Sequence, residues 1–135
     1  MDGVIITPLK QVHNPKGDIF HAMKKSDDGF DGFGEAYFST VHKGDIKGWK
    51  KHTSMTLNLI VPFGEIRFVV FDDKTNKFFS VNLSQANYKR LTVKSGLWMA
   101  FQGIEKNNML LNLASIEHDP KEAVSLDIKK ISYDW

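Results

Sequence analysis

Apolar and polar residues alternate along most of this chain in short stretches, and the alternation has a period of two. The clearest case is residues 54–61, where Met55, Leu57, Leu59 and Val61 share one side and polar residues take most of the other. Pro62-Phe63-Gly64 reads as a tight turn, followed by a Val-, Ile- and Phe-rich strand over 65–71. Asp72-Asp73-Lys74-Thr75-Asn76 closes a hairpin onto a strand over 77–83, because Asp and Asn accept turn angles and bond their own main chain. Strands are predicted over 5–10, 35–42, 88–93, 97–102 and 109–115 as well. Asn14-Pro15-Lys16-Gly17-Asp18 is a turn, and residues 26–34 form a loop rich in glycine and acid. Only residues 120–123 and 84–87 suggest a helical turn.

Short strands joined by hairpins bury one face each and need a second sheet to cover it. A double-sheet jelly roll meets that need and protects the strand edges. The expected fold is therefore all-β, as one domain spanning 1–135, since 135 residues suffice for one core and not two. Hydrophobic content of 41% and charged content of 25% are those of an ordinary globular chain. The chain has no cysteine, which excludes disulfides and thiolate chemistry and suits a reducing compartment, so a cytoplasmic location is expected. No basic region followed by a long apolar run opens the sequence, and no apolar stretch is long enough to cross a bilayer. With 18 basic and 16 acidic residues the net charge is +2, which gives no electrostatic case for nucleic acid as a partner.

Charge is concentrated locally, however. Lys43, Lys47, Lys50 and Lys51 surround the segment Gly44-Asp45-Ile46-Lys47-Gly48-Trp49-Lys50-Lys51-His52. Such a cluster is either a solvated loop and strand end or an anion site, with phosphate the natural occupant. Period-two geometry sets Lys50 and His52 on one face of a strand. A metal-binding jelly roll of the cupin type carries His-x-His at such a spot, then a carboxylate, then another His on a later strand. Here Lys50 stands in the first His position, Thr56 and Asn58 stand where the acid is due, and Met99 stands where the last His is due. One imidazole beside a cation does not hold a divalent ion, so no metal and no cofactor are expected.

Several motifs occur in order along the chain. These are Gly44 to His52, Val61-Pro62-Phe63-Gly64-Glu65-Ile66, and Leu83-Ser84-Gln85-Ala86-Asn87 running on to Gly96 and Phe101. Together they resemble the dTDP-4-dehydrorhamnose 3,5-epimerase family of RmlC-like cupins. That family carries an Arg-Gly-Leu-His segment, a Gly-Glu-Val strand pair and Leu-Ser-x-x-Asn followed by a Pro-x-Gly-Phe-x-His-Gly-Phe stretch. Asn14 to Gly17 before Ile19-Phe20 is similar to its early Arg-Gly-x-Phe segment. Residues 113–122 resemble its Tyr-x-Pro-Glu region and the ending of the related dTDP-sugar 3,4-ketoisomerases.

The resemblance implies a metal-free homodimer that binds a nucleoside-diphosphate 4-keto sugar inside the barrel and moves protons next to the ketone. Such sugars serve surface polysaccharides, lipopolysaccharide among them. It puts the family's catalytic His on Lys50, or on His52 with a small shift of register, and its proton-donating Tyr near His118. His52 is expected as the base, with Lys50 and His118 assisting, and Lys47 and Lys16 at the diphosphate in place of arginines. Asn58 and Tyr37 join the substrate-binding set. Each residue also has a plainer role open to it. His52 can cap a strand end, His118 can stabilise the Asp119-Pro120 turn, and Tyr37 and Tyr88 can pair across strands. Trp49, Trp98 and Phe101 are expected in a core or dimer interface rather than as base-stacking platforms. Two functions follow: an epimerase or isomerase of a nucleotide-linked 4-keto-6-deoxy sugar, or a catalytically degenerate cupin that binds such a ligand without turnover.

Overall fold

Alternation on adjacent strands forces two sheets to face each other. The computed structural model describes all 135 residues in that arrangement. The first sheet runs β1 (Val4–Pro8), β9 (Lys89–Val93), β6 (Leu57–Phe63), β11 (Asn107–Ala114) and β4 (Glu35–His42) in order across it. The second runs β12 (Ala123–Ser125), β5 (Ile46–His52), β10 (Trp98–Gly103), β7 (Glu65–Asp72) and β8 (Lys77–Ser84). Neighbouring strands are antiparallel throughout both sheets, giving the expected jelly roll. A small hairpin pairs β2 (Gln11–Val12) with β3 (Ile19–Phe20). No helix is long and apolar enough to cross a membrane.

The main core lies between the sheets and includes Leu57, Leu59 and Val61 from β6, with Ile66, Phe68 and Val70 from β7. A second core lies on the outer side of the second sheet. There Trp49, Val69, Trp98 and Ala100 are covered by Ile131, with Tyr133 and Trp135 of the C-terminal tail packed alongside. The tail is tied down where Trp49 Nε1 donates to the Ile128 carbonyl at 3.2 Å and Arg67 donates to the Trp135 carbonyl at 2.8 Å. This cover explains why β7 reads as a nearly continuous apolar run: both of its faces are buried.

Some boundaries differ from the sequence reading. The strand expected from residue 54 begins at Leu57, because the Ser54 and Met55 amides are drawn away to the Glu122 carboxylate. The Pro62-Phe63-Gly64 turn narrows to Gly64 alone, at φ +78 with Asn107 and Asn108 so close that no Cβ fits. The hairpin at 72–76 is as expected, with Asn76 at φ 56 and Asp72 accepting from the Lys74 amide and the Thr75 hydroxyl. Residues 85–87 make a turn rather than a helix, whereas Pro120–Glu122 is a single 3-10 turn capped by Asp119.

Candidate active site

β5 builds the site because its two faces carry different chemistry. Opposite it on β10, Met99 pairs with Lys50 and Phe101 with Lys47, so two residues of β5 oppose Ala100 alone. This bulge breaks the period of two and turns Lys47, Lys50 and His52 all toward the interior. They line a cavity of about 270 Å³ between the sheets. β4 contributes Tyr37 and Ser39 to its lining, β11 contributes Leu110 and Asn112, and β6 contributes Leu57 and Leu59. Of the four clustered lysines only Lys47 and Lys50 reach it, since Lys51 faces outward and pairs with Asp73 at 2.7 Å.

His52 is held from behind. Its Nδ1 lies 2.6 Å from Glu122 Oε1, and the other carboxylate oxygen accepts the Ser54 and Met55 amides at 2.9 Å each. Burial alone pushes the Glu122 carboxyl upward. The hydrogen bonds from His52 and from the two amides, with the charge of His52, outweigh burial and bring it down from 4.5 to about 2. Glu122 is therefore an anion at neutral pH and can only accept. The neutral imidazole must then carry its proton on Nδ1, leaving a bare lone pair on Nε2. Nε2 has no partner in the protein, and no side-chain nitrogen or oxygen is both buried and unpaired, so this atom opens to the cavity. The arrangement is that of a positioned general base.

No carboxylate lines the cavity. Neither Lys47 nor Lys50 forms a salt bridge, although Lys47 Nζ donates to Ser39 Oγ at 3.0 Å and stands 5.9 Å from the Phe101 ring centroid. Two cations without counter-charges beside a base favour an anionic ligand or one that gains negative charge as it reacts. No three His, Asp, Glu or Cys side chains gather within reach of one ion.

Four of the seven site residues read from sequence line the cavity: His52, Lys50, Lys47 and Tyr37. The other three do not. Asn58 is 1% exposed but points away, because Leu57 and Leu59 on either side take the inward positions. It is engaged by Arg90, Thr92 and the Gly29 carbonyl. Lys16 sits in the exposed Asn14–Gly17 turn, and His118 is exposed in the loop after β11. Glu122, Asn112 and Ser39 escaped the sequence reading. Asn112 had a signal, a polar residue at the inward register of Leu110, and Glu122 lay in the segment resembling the family's Tyr-x-Pro-Glu region.

The jelly roll that holds this supported imidazole and two lysines without counter-charges has the fold of the solved RmlC epimerases. The family model described as FdtA, WxcM-like, C-terminal, matches residues 2–128, and the chain belongs to that family. A search of the curated proteins finds no match. Among solved structures, a dTDP sugar isomerase from Desulfovibrio desulfuricans G20 aligns with a TM-score of 0.93 at 26% identity, over 99% of this chain and 91% of that one. The 3,4-ketoisomerase QdtA from Thermoanaerobacterium thermosaccharolyticum, solved with TDP, aligns with a TM-score of 0.80 at 20% identity, over 97% and 93%. The epimerase RmlC from Legionella pneumophila Philadelphia 1, in complex with dTDP-4-keto-L-rhamnose, gives 0.86 at 18% identity, over 100% and 79%. The last two likenesses are of fold.

Proposed function

We propose that the chain is a metal-independent epimerase or isomerase of a nucleotide-linked 4-keto-6-deoxy sugar. The observation that carries this reading is the His52–Glu122 pair, which aims a bare imidazole nitrogen into a cavity lined by two unpaired lysines. A proton next to a ketone is weakly acidic, and its removal needs a base at hydrogen-bond range and cationic donors for the resulting enolate. His52 Nε2 takes that proton. The C–H electron pair becomes the carbon–carbon double bond, and the carbonyl π pair moves onto oxygen. Lys50, two residues from His52 on the same face, supplies its ammonium to that oxygen. Lys47, nearer the start of β5, takes the diphosphate. The dTDP-sugar ligands and activities of the solved relatives support the choice of substrate class. We extend the reading to a cytoplasmic homodimer that supplies sugars for surface polysaccharide, which sedimentation of the purified chain checks for its oligomeric part.

The test is to incubate the protein with a dTDP-4-keto-6-deoxy sugar in deuterated water and follow the ring carbons by NMR. Deuterium is expected at a carbon next to the ketone, together with an epimer or a migrated carbonyl. Binding of the sugar nucleotide with no exchange at any carbon would leave the catalytically degenerate cupin as the correct description. Lys50, on which the resemblance puts the histidine of the family's Arg-Gly-Leu-His segment when Gly48 is matched to its glycine, gives this second outcome its motive.

A further inference from the structure

The hydroxyl oxygens on the cavity wall opposite His52 have a fixed role toward the protein: each accepts. Asn112 is 1% exposed, and its Oδ1 accepts the Asn58 backbone N–H at 3.2 Å. A backbone N–H only donates, so the amide oxygen must occupy that position and the NH₂ group must take the other. The NH₂ points at Tyr37 Oη, 3.0 Å away. An amide NH₂ cannot accept, so the Tyr37 oxygen accepts from Asn112 and its own hydrogen is left without a protein acceptor. The same logic holds two residues along β4, where the Lys47 ammonium donates to Ser39 Oγ. Tyr37 and Ser39 belong to the first sheet and His52 to the second, and facing sheets stand about 10 Å apart. A ring lying between them meets the base from one side and these hydroxyls from the other.

We propose that Asn112 is a positioning residue that locks the Tyr37 hydroxyl as a one-way hydrogen-bond donor into the cavity, where it serves an oxygen acceptor of the ligand across from His52. The inference rests on the proton-transfer reading of the site for its catalytic consequence, but the polarity of the hydroxyl is a property of the protein alone. In turnover the developing enolate oxygen, or the ketone before it, receives this hydrogen. No proton leaves Tyr37 and no rotation of the phenol is needed when charge develops.

The chain has three tyrosines, so the C–O stretch of Tyr37 can be isolated as the vibrational difference between the wild-type protein and Tyr37→Phe, both with labelled tyrosine. That band is expected to carry the signature of a phenol that accepts from the protein and does not donate to it. Asn112→Asp, nearly isosteric, presents a carboxylate that only accepts, and it is expected to pull the hydroxyl round and convert the band to that of a donor. In the deuterium exchange assay Tyr37→Phe and Asn112→Asp are each expected to slow exchange by roughly 10²-fold, the loss typical of one such donor. The double variant should be no slower than Tyr37→Phe. A wild-type band already of the donor type, a band unmoved by Asn112→Asp, or losses that multiply in the double variant would each overturn the proposal. Should Asn112→Asp fail to fold, the wild-type band alone decides the polarity. If the wild type exchanges no keto sugar at all, the catalytic reading falls while the vibrational result still stands.

Discussion

The two faces of β5 make opposite use of the same kinds of side chain. On the outer face Trp49 is 1% exposed beneath the C-terminal tail with its Nε1–H bonded, and Lys51 is paired with Asp73, which also accepts from Trp98 Nε1. On the inner face Lys47 and Lys50 have no carboxylate, and His52 keeps one ring nitrogen without a partner. The outer face closes its own hydrogen bonds and charges, as a stabilising surface should. The inner face leaves them open toward a cavity, which is what a site needs and a core avoids.

Substitutions on the two faces should therefore separate activity from stability. The largest effect is expected for His52→Asn, which keeps the shape and removes the base. Exchange should fall by about 10³- to 10⁴-fold, equivalent to about 4–5.5 kcal/mol of barrier, with little loss of fold. Turnover measured beside a urea titration checks both halves. Trp49→Ala on the other face should do the reverse, lowering stability by roughly 3–5 kcal/mol through the cavity it leaves. Denaturant midpoints measure this loss.

Next comes acid. The Glu122 carboxyl is lowered in the folded protein, so its contribution is complete above its ordinary 4.5 and is lost as pH falls through about 2. That difference amounts to about 3 kcal/mol. Glu122→Gln should be less stable than the wild type by this order at neutral pH, and the gap should narrow between pH 4.5 and 2. Urea titrations across that range test the sign. The smallest effects come from the lysines. Lys47→Ala should weaken binding of dTDP about tenfold, or about 1.4 kcal/mol, without loss of stability. Lys51→Ala should leave binding unchanged and lower stability by no more than about 1 kcal/mol, as for a partly exposed ion pair. Calorimetry on the pair breaks the contrast if the two behave alike.

Much of the fold was legible because strand burial follows a period of two. Met55, Leu57, Leu59 and Val61 enter the core together, as their spacing requires. The same rule, applied strictly, excludes Asn58 from the cavity, since it lies between two inward leucines. The inward turn of Lys47 came only through the family resemblance, because strict alternation with Lys50 and His52 turns it outward. A β-bulge is set by pairing with β10, and nothing in the segment 46–52 announces it. Glu122 lies 70 residues from His52, and only the pairing of β12 with β5 brings it close. The position of the histidine was readable, whereas what holds it in place is long-range.

The most direct test is the nitrogen NMR spectrum of the His52 imidazole in ¹⁵N-labelled protein, identified by its loss in His52→Asn and recorded at a pH where the ring is neutral. A proton on Nδ1 and a bare Nε2 are expected, with the pattern disturbed in Glu122→Gln. A neutral ring protonated on Nε2 instead would leave no lone pair facing the cavity, and His52 would not be the base.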